Sequence, residues 1–167
     1  MSKLLHLINR LKAQANPDML TASQYQAFIQ LNKQWHFPDK INLCGPQGSG
    51  KTFLGWVIAR YYSANFYASP QTFEQDLPLY TPDIIIDNAP TEEKQTRRML
   101  SEMQLRQVRR ALLITNRPIT LGFQVISLSL PTEADIVKVY ANLNLLQFQT
   151  LQPVNDNNFW NIIYSAL

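Results

Sequence analysis

Apolar positions recur at helical spacing over residues 2–15, where Leu4, Leu5, Leu7, Ile8 and Leu11 share one side. Asn16-Pro17-Asp18 breaks that helix. A second begins after Thr21, which with Gln24 spells a capping box, and carries Tyr25, Phe28, Ile29 and Leu31 inward. Pro38 stops it. From there the period changes. Ile41 to Cys44 is a short apolar run that reads as a buried strand, and a helix follows over 51–62. Further strands are expected over 65–69, over Asp83-Ile-Ile-Ile-Asp87-Asn88, over 111–118 and over 123–130. Residues 69–76 read as a loop or a weak helix, 91–109 as a helix, and Pro131-Thr132-Glu133 as the opening of another to about Leu143. Leu145 to Leu151 has the pattern of a strand, and a last helix runs from Asp156 through Ser165. Strands alternating with helices predict an α/β fold, a three-layer αβα sandwich around a parallel sheet. The order divides the chain into a helical extension at 1–38, a core at 39–131 and a helical C-terminal segment at 132–167.

The chemistry concentrates where the first strand ends. Gly45-Pro46-Gln47-Gly48-Ser49-Gly50-Lys51-Thr52 matches G-x-x-x-x-G-K-T, with a strand before it and a helix after it. Glycines let such a loop fold around an anion with its amides inward. Lys51, on an exposed loop, would place a charge on the β- and γ-phosphates. Thr52 would offer a hydroxyl to Mg²⁺. The helix that follows would aim its positive end at the same anion. Asp87 closes a run of isoleucines at the C-terminal edge of a parallel strand, where a second Mg²⁺-directed carboxylate is needed. Trp35-His36-Phe37, just ahead of the first strand, is either a packing plug or a wall for a nucleotide base. In the 91–109 helix, Lys94, Arg98, Arg106 and Arg109 fall on one broad face at about 100° per residue. That stripe is either a solvated surface or a track for nucleic-acid phosphates.

Composition sets bounds on these readings. At 167 residues and 46% hydrophobic content, one domain can bury a full core. No stretch is long and apolar enough to span a membrane. The N-terminus reads as an amphipathic helix rather than a signal peptide. Cys44 is the one cysteine, so no intrachain disulfide forms, which fits a reducing cytoplasm. The net charge of +3 permits an anionic partner without requiring one.

Residues 40–131 resemble the core of the AAA+ ATPases, in the branch that holds bacterial replication initiators and helicase loaders. The resemblance rests on the loop Gly45–Thr52, the strand Ile84-Ile-Ile-Asp87 and Leu113-Ile-Thr-Asn116. It implies a five-stranded parallel sheet, ATP and Mg²⁺ as ligands, and a role for Asn116 in holding the attacking water against the γ-phosphate. Asp87, Asn88 and Asn116 are then the catalytic candidates. The chain departs from the family in three places. Asn88 stands where a glutamate is usual, and an amide cannot take a proton from water. The connection between the fourth and fifth strands is too short for a helix bearing an arginine finger, and Arg117 is its only cation. The C-terminal segment is a reduced lid. The resemblance implies an ATP-binding protein, weakly or partner-stimulated in hydrolysis, acting in replication initiation, helicase loading or transposition, with a protein partner or oligomer and DNA as partners. A non-catalytic nucleotide-dependent adaptor is the alternative. A small-molecule kinase is disfavoured, because kinases need arginines on a lid and here they precede the fourth strand.

Overall fold

The computed structural model describes residues 3–37, 39–76, 80, 82–148 and 157–165. Helices α1 (Lys3–Gln14) and α2 (Ala22–Trp35) precede strand β1 (Lys40–Cys44) and helix α3 (Lys51–Tyr62). Then come β2 (Asn65–Tyr67), α4 (Pro70–Gln75), β3 (Asp83–Ile86), α5 (Glu93–Leu105), β4 (Arg110–Thr115) and β5 (Gln124–Ser127). Helices α6 (Glu133–Leu145) and α7 (Phe159–Ser165) follow. The strands form one five-stranded sheet in the order β2-β3-β4-β1-β5, every pair parallel. Position 38 lies outside the described residues, as do 149–156, and with them the expected stop at Pro38 and the helix start at Asp156.

The isoleucine run is explained by burial on both faces of the sheet. Ile85 joins the cluster under α2 and α3, which also holds Leu31, Trp35, Leu43, Leu54 and Ile114. Ile84 and Ile86 point the other way, to Phe73 of α4 and Met99 and Met103 of α5. A third cluster joins α1 to the C-terminal helices through Leu7, Leu11, Ile136, Leu143, Phe159 and Ile162. The two segments that flank the core in sequence are therefore packed together in space.

Two helix ends differ from the sequence reading, each for a local reason. Helix α5 stops at Leu105 rather than 109. Gln107 turns left-handed (φ 56), its amide bonds Gln104 O, and the Val108 amide bonds Met103 O. This is the Schellman closure, made here without the glycine that would have signalled it. Gln147 (φ 62) closes α6 in the same way, with Phe148 N on Leu143 O. Residues 145–148 are thus a helix end and its turn, not a strand, and 149–151 lie outside the described residues. Residues 70–75 are a helix because Ser69 and Thr72 cap each other reciprocally and Pro70 occupies the first turn.

Asp135 ties α6 to α2. Its carboxylate accepts from Ser23 Oγ at 2.6 Å, Ser23 N at 3.1 Å, and Thr132 N and Oγ1 at 2.9 Å each. Burial alone would push this carboxyl up, but these bonds overcome it and hold the group at about 2. A carboxyl whose folded value lies below its unfolded one stabilises the fold above about pH 4 and ceases to do so as pH falls toward 2. Discounted for solvent screening, that shift is worth on the order of 1 kcal/mol. Denaturant unfolding of wild type and Asp135→Asn should therefore differ by about that much at pH 6 and converge by pH 2. A gap that stays constant with pH would show that the carboxylate's charge is not what holds the two helices.

Candidate phosphate-binding site

The loop Gly45–Gly50 leaves the C-terminal end of β1 and enters α3 at Lys51. Gly48 and Gly50 have φ values of 81° and 82°, where a side chain would be strained. Gly45 is required for another reason: a Cβ there would lie 2.4 Å from Leu128 O. The sequence expectation of an exposed Lys51 is corrected by the structure. Its side chain is buried, and Nζ donates to Gly45 O at 2.7 Å and Pro46 O at 2.6 Å. The lysine thus holds the carbonyl side of its own loop. Burial draws its pKa down, opposed by the charge of Asp87.

Thr52 Oγ1 donates to Asp87 Oδ2 at 2.7 Å, which brings together the two residues expected to serve a cation. Asp87 extends β3 by one ladder bond, N to Tyr67 O at 2.9 Å. Burial pushes its carboxyl up, while Thr52, the Asn88 amide and Lys51 oppose that shift. Asn88 is bent back in the left-handed region (φ 53), with its amide N on Asp87 Oδ1 at 2.9 Å and Nδ2 on Ala68 O at 3.1 Å. Asparagine tolerates this conformation better than glutamate does, which gives a backbone reason for the residue type at 88.

Two clefts meet at Lys51 and Asp87. The larger, about 360 Å³, runs from Gln47, Gly48, Gly50 and Thr52 to an apolar wall that includes Phe53, Trp56, Leu143 and Trp160. The smaller, about 300 Å³, is lined by Asn88, Thr91, Asn116 and Arg117 as well. Asn116 stands exposed just past β4 and lines both. Ser49 Oγ turns back to Pro46 O at 2.9 Å and braces the loop. Neither Trp35 nor Phe37 lines these clefts. Trp35 is buried and stacked on Tyr62, centroids 5.4 Å apart, so it is the packing plug of the two alternatives.

The basic face is smaller than the sequence suggested. Lys94 and Arg98 are exposed on α5, with Arg98 reaching Glu74 at 3.6 Å. Arg109 is exposed but lies beyond the helix end, so helical spacing does not place it on that face. Arg106 must be withdrawn as a phosphate contact. Its guanidinium caps α4, donating to Phe73 O, Asp76 O and Glu74 O, and pairs with Glu102 at 2.7 Å.

Sequence reasoning missed a clasp on the loop's outer side. Gln24 Nε2 donates to Gly50 O at 3.1 Å, while its Oε1 serves the predicted capping box. The Phe159 amide donates to Gly48 O at 3.0 Å. Amides that face an anion leave their carbonyls facing outward, and those carbonyls need donors. The donors come from α2 and from the start of α7.

No protein-family model matches the chain, and no curated protein does. Solved structures do. One is the replication initiator DnaA bound to AMPPCP and single-stranded DNA, with TM-score 0.58 and 14% identity over 85% of this chain and 58% of that one. Another is a point variant of Thermotoga maritima RuvB, with TM-score 0.57 and 17% identity over 81% of this chain and 56% of that one. The protein has the α/β fold of the P-loop NTPases. The chain spans less than three-fifths of either neighbour. Among the described residues, no helix is long and apolar enough to cross a membrane.

Proposed function

We propose that the protein binds ATP with Mg²⁺ and hydrolyses it slowly, in the service of a DNA transaction. The observation that carries this is the convergence of Lys51, Thr52 and Asp87 at the mouth of a cleft large enough for a nucleotide. The loop amides and Lys51 would hold the phosphates, with Asn116 beside the terminal one. Thr52 and Asp87 supply hard oxygen donors, a small set suited to a cation that keeps several waters. Mg²⁺ held there would offset the negative charge of the phosphates. The apolar wall suits a base.

Asn88, an amide where a general base would serve, supports slow turnover, and favours as a second reading an adaptor that switches on nucleotide occupancy without hydrolysis. The neighbour bound to single-stranded DNA and the exposed cations Lys94, Arg98 and Arg109 support DNA as the partner. A protein partner or a second copy, and a cytoplasmic setting, belong to the same reading. Steady-state ATP hydrolysis with and without single-stranded DNA separates the two readings. DNA affinity should fall with salt. Arg98→Ala combined with Arg109→Ala should lower the slope of log affinity against log salt by about two. No DNA binding even at low salt would make the cationic face a solvated surface.

A further inference from the structure

Asn42 is an amide between Ile41 and Leu43 in the middle of β1, fully buried between β4 and β5. Every polar atom of its side chain is engaged. Nδ2 donates to Leu113 O and to Thr115 Oγ1, both at 2.9 Å. Oδ1 accepts from Ile119 N at 2.9 Å. The Thr115 hydroxyl, which has one proton, spends it on Arg117 O at 2.6 Å, so it can only accept from Asn42. The amide therefore grips the chain on both sides of Asn116-Arg117-Pro118, at Thr115 before it and at Ile119 after it. Between those grips the chain carries Asn116 and Arg117 to the wall of the cleft that Lys51 and Asp87 also line.

A fully satisfied buried amide contributes little net stability compared with a well-packed apolar side chain of the same size. What such a network does provide is one geometry in place of several. We infer that Asn42 is a positioning residue for the reading of the terminal phosphate. It touches no ligand itself. It fixes the Asn116–Arg117 projection so that these side chains meet a γ-phosphate held on the Gly45–Thr52 loop. This rests on the nucleotide reading proposed above and adds to it how a triphosphate is told from a diphosphate.

The test is calorimetric titration of Mg-ATP and Mg-ADP into wild type, Asn42→Leu, Thr115→Val and Thr115→Ser. Wild type should prefer ATP. Asn42→Leu and Thr115→Val should lose about tenfold of that preference while their ADP affinity stays within about twofold, because the phosphate loop is untouched. Thr115→Ser keeps the hydroxyl and should keep the preference. A merely structural Asn42 would lower the melting temperature and leave the ATP-to-ADP ratio alone, which overturns the proposal. A wild type that binds both nucleotides equally overturns it too. A wild type that binds neither overturns the nucleotide reading itself and takes this inference with it. Should Asn42→Leu fail to fold, the Thr115 pair decides alone.

Discussion

Lys51→Ala should remove ATP binding at any concentration below the millimolar range, and Lys51→Met should do the same. A lysine ammonium on two phosphates makes charge-assisted hydrogen bonds worth about 1.5–3 kcal/mol each. Losing both weakens binding by roughly 10²–10³-fold or more. The structure adds a second effect, since the same ammonium is bonded to Gly45 O and Pro46 O. Removing it leaves two loop carbonyls to find water. Against that stands the relief of a buried charge, whose desolvation is already felt in its lowered pKa. These terms oppose each other, so the melting temperature should move by only a few degrees while affinity collapses. Lys51→Met retains the stem and isolates the charge. Calorimetry that finds ATP affinity unchanged in either variant would refute the nucleotide reading.

The second large effect concerns Asp87 and Asn88, and the two should separate cleanly. Asp87→Asn removes the charge beside Thr52, so ATP affinity in Mg²⁺ should drop to the value measured in EDTA. Asn88→Glu should raise single-turnover hydrolysis, because general-base help is worth ~10²–10⁴ in rate when well placed. The gain belongs at the lower end of that range. A glutamate must adopt the left-handed backbone that Asn88 holds at φ 53, at a strain of about 1 kcal/mol, and it forfeits the bond to Ala68 O. Wild-type hydrolysis that is already brisk and unaltered by Asn88→Glu would place the base elsewhere. Glu92 is then the candidate, since the Glu93 carboxylate holds Arg97 at 2.7 Å.

What the sequence revealed and what it hid divide along physical lines. The phosphate loop was legible because its chemistry is local: three glycines, a lysine and a threonine in one short run. Asp87 was legible because a strand buried on both faces reads as continuous isoleucine, and a carboxylate at its end stands out. The ends of α5 and α6 were not legible, because glutamines at 107 and 147 take the left-handed position that glycine usually marks. Arg106 was misread because helical spacing cannot see Phe73 and Asp76 across the fold. Gln24, Asn42 and Phe159 act on the site through contacts to distant parts of the chain, and no local pattern distinguishes them from ordinary helix and strand residues. The burial of Lys51 is likewise a matter of loop curvature.

The clasp on the loop also bears on the order in which the fold assembles. Strands β3 and β4 are joined through the single helix α5 and pair over a short stretch of chain, and the bond from Gln24 to Gly50 O spans only 26 residues, so both can form early. The Gly48 carbonyl, by contrast, waits for the Phe159 amide, far along the chain. Contacts of long sequence separation come late and cost the most closure entropy. The sheet can therefore be complete while the anion cradle is still loose. A nucleotide that binds only the finished cradle would draw the last step forward by mass action. Its binding energy would be felt first in the seating of α7, and only second in the sheet from which the loop springs.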